Sequence, residues 1–320
     1  MIHSYAPAFG EESPESQIAR LREERNAVIL SHYYQEDAIQ DMADFVGDSL
    51  DLSRKAASTN AEMIVFCGVR FMADVAKILN PTKKVLLPDM RAGCSLEESC
   101  PPDAFRAFVD ARPGHKVLTY INSSAEVKGM SDIIVTSSNA EKIIRSLPEN
   151  EPIIFGPDKY LGAYLNKITG RRMVLWPGSC VVHERFSEKE LVKLQATHPR
   201  ALVVAHPECP EYLLGRADFI GSTSKLISFC ADRDGGEFIV LTEPGIIHAM
   251  QKAAPRSLFL PAPGIGDVAC ASCNTCPYMR LNTVEKLRDC LRDETPQITL
   301  TQEEIQKARA PLMKMLEMSA

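Results

Sequence analysis

The sequence predicts an α/β protein made of three similar three-layer αβα units, each with a parallel sheet, set around a pseudo-threefold axis. Three observations carry that prediction. The chain has 320 residues, 45% of them hydrophobic, which is enough to bury a substantial core shared among two or three domains. Short β-branched apolar runs alternate with amphipathic helical stretches, the pattern of parallel strands joined by helical crossovers. The whole pattern then restarts twice, with a period of roughly 85 residues.

The first strand of each unit is an apolar run ending in polar residues: AVIL (27–30) leads into SHYYQ, KVLT (116–119) into YINSS, and ALVVA (201–205) into HPECP. Uninterrupted apolar runs of this kind suit strands buried on both faces. A second strand with a polar end follows in MADFVGDSLDLSRKAA, MSDIIVTSSNAEKIIR and RADFIGSTSKLISFCA. There, Ser, Thr and Asp stand where strand gives way to helix, the chemistry of an N-cap. The spacing is constant: fifteen residues beyond Tyr34, Asn122 and Glu208 stand Ser49, Ser137 and Thr223, and the same register aligns His32, Tyr120 and His206. Third strands with their helices follow in MIVFCGVRFMADVAKILN, PIIFGPDKYLGAYLNKITG and EFIVLTEPGIIHAMQKAA. A fourth short strand runs into a Pro/Gly turn bearing cysteine in KVLLPDMRAGC, RMVLWPGSC and SLFLPAPGIGDVAC. The units are expected at 1–102, which includes an N-terminal helix ESQIARLREERN, at 103–186 and at 187–282. Residues 283–320 are expected as helices packing on the first unit, the last opening with a capping box from Thr301 to Glu304.

Charge narrows the partners. Net charge is −6 and no basic block occurs, which argues against nucleic acid and anionic membrane surfaces. No apolar run approaches the ~18 residues of a membrane span, and the N-terminus lacks export features, so a cytoplasmic location is expected.

In parallel sheets ligands gather beyond the carboxyl ends of the strands, where all these aligned polar residues lie. One capping hydroxyl merely satisfies a helix terminus; three at equal spacing point to a shared site. His32, His183 and His206 sit at strand ends within the repeat, whereas His3, His115, His198 and His248 read as structural. The ten cysteines of a chain this size argue against disulfides, and the lack of paired knuckles argues against structural zinc. Cys94, Cys180 and one of Cys270, Cys273 or Cys276 close equivalent turns, so three thiolates would converge if the units pack with their carboxyl ends inward. Three thiolates suit a [4Fe–4S] cluster with one open iron. Cys100 is the alternative ligand, and Cys67, Cys209, Cys230 and Cys290 read as small buried hydrophobes. Trp176 reads as packing beside the Cys180 turn, and GIGDVA (264–269), which a cysteine cluster follows in place of a helix, is set aside as a dinucleotide motif.

Together, SHYYQ, GDSLDLS, LPDMRAGCSL, YINSSAEVK, VTSSNA, WPGSCVVHERF, AHPECP, IGSTSK and CPYMRLNT resemble the quinolinate synthase family of de novo NAD biosynthesis, in order over about residues 25–290. The resemblance implies three αβα units about an axis and an oxygen-sensitive [4Fe–4S] cluster on Cys94, Cys180 and Cys276, with Cys270 and Cys273 as spare thiols. It implies a transferase that condenses iminoaspartate with dihydroxyacetone phosphate to quinolinate. It also places His32, Tyr34, Ser49, Tyr120, Asn122, Ser137, His183, His206, Glu208 and Thr223 around substrate. Tyr34, Glu208 and His183 are then the expected catalytic groups, and functional coupling to L-aspartate oxidase is an expectation of the same kind. Three rivals are an electron-transfer iron–sulfur protein, a zinc-binding scaffold and another cluster-dependent hydro-lyase.

Overall fold

The computed structural model describes residues 12–265 and 274–320, so Cys270 and Cys273 lie outside the described residues. The first unit runs α1 (Pro14–Glu24), β1 (Ala27–His32), α2 (Asp37–Met42), β2 (Phe45–Gly47), α3 (Ser49–Ser58), β3 (Met63–Cys67), α4 (Arg70–Leu79), β4 (Lys84–Leu86) and α5 (Ser95–Glu98). The second runs α6 (Pro102–Asp110), β5 (Lys116–Tyr120), α7 (Ala125–Lys128), β6 (Ile133–Val135), α8 (Ala140–Ser146), β7 (Ile153–Gly156), α9 (Lys159–Thr169) and β8 (Val174–Leu175). The third runs α10 (Glu188–Thr197), β9 (Leu202–Ala205), α11 (Glu211–Leu214), β10 (Phe219–Ile220), α12 (Thr223–Ala231), β11 (Glu237–Leu241), α13 (Ile246–Ala253) and β12 (Leu258–Pro261). Helices α14 (Val284–Asp293) and α15 (Gln302–Met318) end the chain.

Each unit forms a four-stranded parallel sheet in the same order: β2-β1-β3-β4, β6-β5-β7-β8 and β10-β9-β11-β12. The register repeats as well, with Ser31 opposite Cys67, Thr119 opposite Gly156 and Ala205 opposite Leu241. His32, Tyr120 and His206 therefore leave their sheets at equivalent points. The chain reverses direction across the sheet between the first and third strands, which opens a crevice at their carboxyl ends. Helices cover both faces, so Ile29, Leu30, Ile64, Val65, Val203 and Ile239 are fully buried, each contributing about 1.5–3 kcal/mol of apolar burial.

A side chain that recurs in every unit locks its first strand. The Asp44 carboxylate accepts from the Ile29 N–H at 2.8 Å, Asp132 from Val117 at 2.7 Å, and Asp218 from Val203 at 2.8 Å. In all three the aspartate's own N–H returns to the carbonyl of that same strand residue, at 2.9, 2.9 and 2.8 Å. These are the aspartates of MADF, MSDI and RADF, so the motif ties the start of the first strand to the start of the second.

Helices α1 and α14 pack together against the first sheet, where Ile18, Leu21, Leu287 and Leu291 meet Ile29 and Leu86. Helix α15 carries the capping box of Thr301 and Glu304. Its buried face of Ile305, Ala308, Leu312 and Met315 lies against α7 and β6 of the second unit as well as α4 of the first. The helix thus spans two units where one was expected, because its apolar stripe meets both. Arg309 donates to the Ile78 carbonyl at 3.1 Å, and Asn139 to the Ser319 hydroxyl at 2.8 Å. Among the described residues, no helix is long and apolar enough to cross a membrane.

Candidate active site

The carboxyl ends of the three sheets share one cavity with about 750 Å³ of empty space including its mouth. His32, Tyr34, Ser49, Cys94, Tyr120, Asn122, Ser137, Cys180, His183, His206, Glu208, Thr223 and Cys276 all line it. Every site residue named from the sequence is therefore brought to a single wall-to-wall neighbourhood. No lysine or arginine lines this cavity among the described residues.

The three cysteines occupy equivalent backbone positions. Each opens a helical turn whose first carbonyl is its own: Cys94 O accepts from Glu98 N at 2.9 Å, Cys180 O from Glu184 N at 3.0 Å, and Cys276 O from Arg280 N at 3.3 Å. Burial raises all three thiol pKa values, the third to about 11, and mutual repulsion among the sulfurs adds to the rise in Cys94 and Cys180. Backbone N–H groups aimed at each sulfur work in the opposite direction, from Glu97 and Leu96, from His183, and from Met279 and Tyr278. Sulfurs so placed are poor free thiolates and good ligands, since a bound cation supplies the charge that burial removes. Cys100 is buried against Phe105 and Trp176 and does not line the cavity, while Cys67, Cys209, Cys230 and Cys290 pack in apolar clusters. One further donor group stands out: Cys180, His183 and Glu208 place one sulfur, one nitrogen and one oxygen within 4.8 Å of one another, close enough to share a metal ion.

A continuous polar chain crosses the cavity wall. Tyr34 Oη lies 2.6 Å from Thr242 Oγ1, which lies 2.8 Å from His183 Nε2. His183 Nδ1 is 3.1 Å from Glu208 Oε2, and the Tyr120 hydroxyl donates to Glu208 Oε1 at 2.6 Å. A carboxylate beside Nδ1 favours the tautomer protonated there. His183 Nε2 then accepts from Thr242, and Tyr34 must donate to Thr242. Burial alone would raise the Glu208 pKa, but His183, His206 and the Tyr120 hydroxyl outweigh it and hold the carboxyl below its usual range.

His32 and His206 repeat one arrangement: Nδ1 accepts the backbone N–H two residues on, from Tyr34 at 3.2 Å and Glu208 at 3.4 Å. Their Nε2 atoms are then the protonated ones, and that of His206 lies 3.2 Å from Ser137 Oγ. Burial pushes both imidazoles down to about 4 against the pull of nearby carboxylates, so they stand neutral at pH 7 and offer N–H donors. The Asn122 Oδ1 is buried without a hydrogen-bond partner, an orphaned acceptor on the cavity wall.

The hydroxyls differ in one detail from expectation. Ser49 and Thr223 open α3 and α12, whereas α8 begins only at Ala140. Ser137 sits in the preceding turn because Asn139 uses its side chain to accept from Thr136 N at 2.7 Å. Three residues escaped the sequence reading. Asp48 lines the cavity and caps α3. Thr242 and Glu243 directly follow β11, and Glu243 accepts from Gly245 N at 2.6 Å and from Cys276 N at 3.2 Å. The available signal was an acidic residue at an equivalent third-strand end, since Asp158 occupies the corresponding place in the second unit.

A family model described as quinolinate synthetase A protein matches residues 16–317. The chain belongs to the quinolinate synthetase A protein family. The quinolinate synthase of a Synechococcus species is 58% identical over 303 residues, covering 95% of this chain and 94% of that protein. Those of Thermosynechococcus vestitus and Ehrlichia chaffeensis are 58% and 57% identical, covering 94% and 95% of this chain and 94% and 96% of theirs. Within this quinolinate synthetase A protein family member, the repeated turns and strand ends converge on one cavity.

Proposed function

We propose that this chain is a quinolinate synthase, condensing iminoaspartate with dihydroxyacetone phosphate to quinolinate with loss of phosphate, cyclisation and dehydration. The observation that carries the reading is the convergence of one cysteine-bearing turn and one hydroxyl from each unit on a single cavity. Cys94, Cys180 and Cys276 would hold a [4Fe–4S] cluster. Their equivalent turns, the N–H groups aimed at each sulfur and the burial that disfavours free thiolates all suit that group. When bound, a cluster held by three thiolates supplies a Lewis-acidic iron with an open position that can polarise a departing hydroxyl.

The protein's own groups account for the remaining work. Ser49, Ser137 and Thr223 donate hydrogen bonds from their hydroxyls to the phosphate. His32 and His206, as neutral N–H donors, together with Asn122, hold carboxylates and orient the reacting carbons, while Tyr120 and His183 stand beside Glu208 at the substrate. The orphaned Asn122 Oδ1 waits for a donor, which the imine or enamine N–H can provide. Glu208, ionised and held by Tyr120 and His183, takes a proton from substrate, and Tyr34 is its acid/base partner across Thr242 and His183. The same reading places the protein in the cytoplasm with L-aspartate oxidase as supplier of the short-lived imine.

Anaerobically prepared protein should contain about four iron and four acid-labile sulfide per chain, and it should form quinolinate from dihydroxyacetone phosphate and freshly generated iminoaspartate. Cys94→Ser, Cys180→Ser and Cys276→Ser should each lose iron and turnover; retention of both in any one removes that ligand. The Cys180, His183 and Glu208 group favours a second reading, a single divalent metal ion. One metal without sulfide would support it and overturn the cluster.

A further inference from the structure

The hydroxyls of Ser49, Ser137 and Thr223 come from three separate units, and the contact of Ser137 with His206 of the third unit does not by itself hold all three at fixed separations. The adjoining residues do. Asp48, which precedes Ser49, is 5% exposed and spends its Oδ1 on the N–H groups of Leu50 at 2.9 Å and Asp51 at 3.0 Å. Its Oδ2 accepts from the Ser138 hydroxyl, next to Ser137, and from the Ser224 hydroxyl, next to Thr223, the latter at 3.0 Å. Ser224 Oγ also lies 3.0 Å from Asp51 Oδ2.

We propose that Asp48 is a positioning residue, its carboxylate tying all three units together so that Ser49, Ser137 and Thr223 form one constellation for the anionic end of the substrate. The inference rests on the proposed function and deepens it. An ionised carboxylate only accepts, so the Ser138 hydroxyl has to point inward to it, which sets the direction of that loop. Bonds to an ionised acceptor are shorter and about twice as strong as neutral ones. Asp48 also withholds the Leu50 and Asp51 N–H groups from substrate, leaving the neutral hydroxyls as the principal donors. With no lysine or arginine among the described residues lining the cavity to draw an anion in, affinity depends on where those neutral donors stand. A small loosening between units is then felt directly in binding.

The test uses the full chain prepared anaerobically, with Asp48→Ala, Asp48→Asn and the double variant Ser138→Ala/Ser224→Ala. Losing both serine hydroxyls should raise KM for dihydroxyacetone phosphate about 10-fold with kcat within about 3-fold, the size expected for two modest hydrogen bonds. Asp48→Ala should do at least as much. Asp48→Asn should recover most of the loss, because the amide keeps its oxygen on the α3 N–H groups and offers N–H donors to hydroxyls that can rotate to accept. Amide hydrogen exchange over residues 135–139 and 221–225 should quicken about 10-fold in the double serine variant. Unchanged KM and exchange in that variant, or Asp48→Asn as impaired as Asp48→Ala, would overturn the proposal. If the wild-type protein forms no quinolinate, the functional reading fails on its own, and the exchange measurement still decides whether Asp48 ties the units.

Discussion

Replacing Thr242 with valine tests the polar chain behind Tyr34 most directly. The side chain is 1% exposed and valine has nearly its shape, so no cavity opens and the change reduces to one lost hydroxyl. That hydroxyl serves two buried partners, Tyr34 Oη at 2.6 Å and His183 Nε2 at 2.8 Å. Each buried polar group left unpaired costs about 1–3 kcal/mol, and Tyr34 can recover part of its loss at the cavity, which gives about 2–4 kcal/mol in all. Removing the link between the proposed acid/base pair, Tyr34 and Glu208, should lower kcat about 100-fold, the lower end of what such catalysis contributes. Thr242→Ser keeps the hydroxyl and should stay within about 5-fold of wild type on the same scale. The assays are urea unfolding and steady-state turnover under anaerobic conditions. Turnover of Thr242→Val within about 3-fold of wild type would refute the argument that Tyr34 works through His183 and Glu208.

Three further outcomes are expected. Burial pushes His32 and His206 down to about 4, below the ~6.5 of an unfolded histidine, so the unfolded chain takes up protons first as pH falls. Stability from this source is full above about pH 6.5 and declines toward pH 4, by roughly 3 kcal/mol per histidine; a urea midpoint that stays flat between pH 7 and 5 would contradict it. Asp132→Ala removes the acceptor for the Val117 N–H at 2.7 Å and should cost about 1 kcal/mol in denaturant unfolding, with the α15 capping box unaffected. Glu243→Gln sets an amide N–H against the N–H of either Gly245 or Cys276, both now served by carboxylate oxygens. Iron of the proposed cluster should then leave to a chelator about 10-fold faster, and an unchanged rate would show that Glu243 does not hold the Cys276 loop.

The parts legible in the sequence are those the fold repeats. The hydroxyls Ser49, Ser137 and Thr223, and the strand ends His32, Tyr120 and His206, stand at constant spacing because three sheets share one order and one register. Asp44, Asp132 and Asp218 obey the same spacing and were there to be read as strand clamps. Thr242 and Glu243 were harder to see because the units diverge at that position, which holds Val69 in the first, Asp158 in the second and Glu243 in the third. The late start of α8 depends on a single side-chain bond from Asn139 to Thr136, which helix periodicity does not register. The placement of α15 was hidden for another reason: an apolar stripe declares that a helix is buried but says nothing of which neighbours bury it.

The order of the cysteines along the chain has a consequence for biosynthesis. Cys94 and Cys180 leave the ribosome well before Cys276, and α15, which fastens the first two units to each other, leaves later still. A nascent polypeptide therefore exposes two of the three proposed sulfur donors with no chamber to shelter them. Assembly of a centre on the three proposed cysteines must wait until Cys276 has emerged, and a chain released before then would leave the first two thiols open to oxygen.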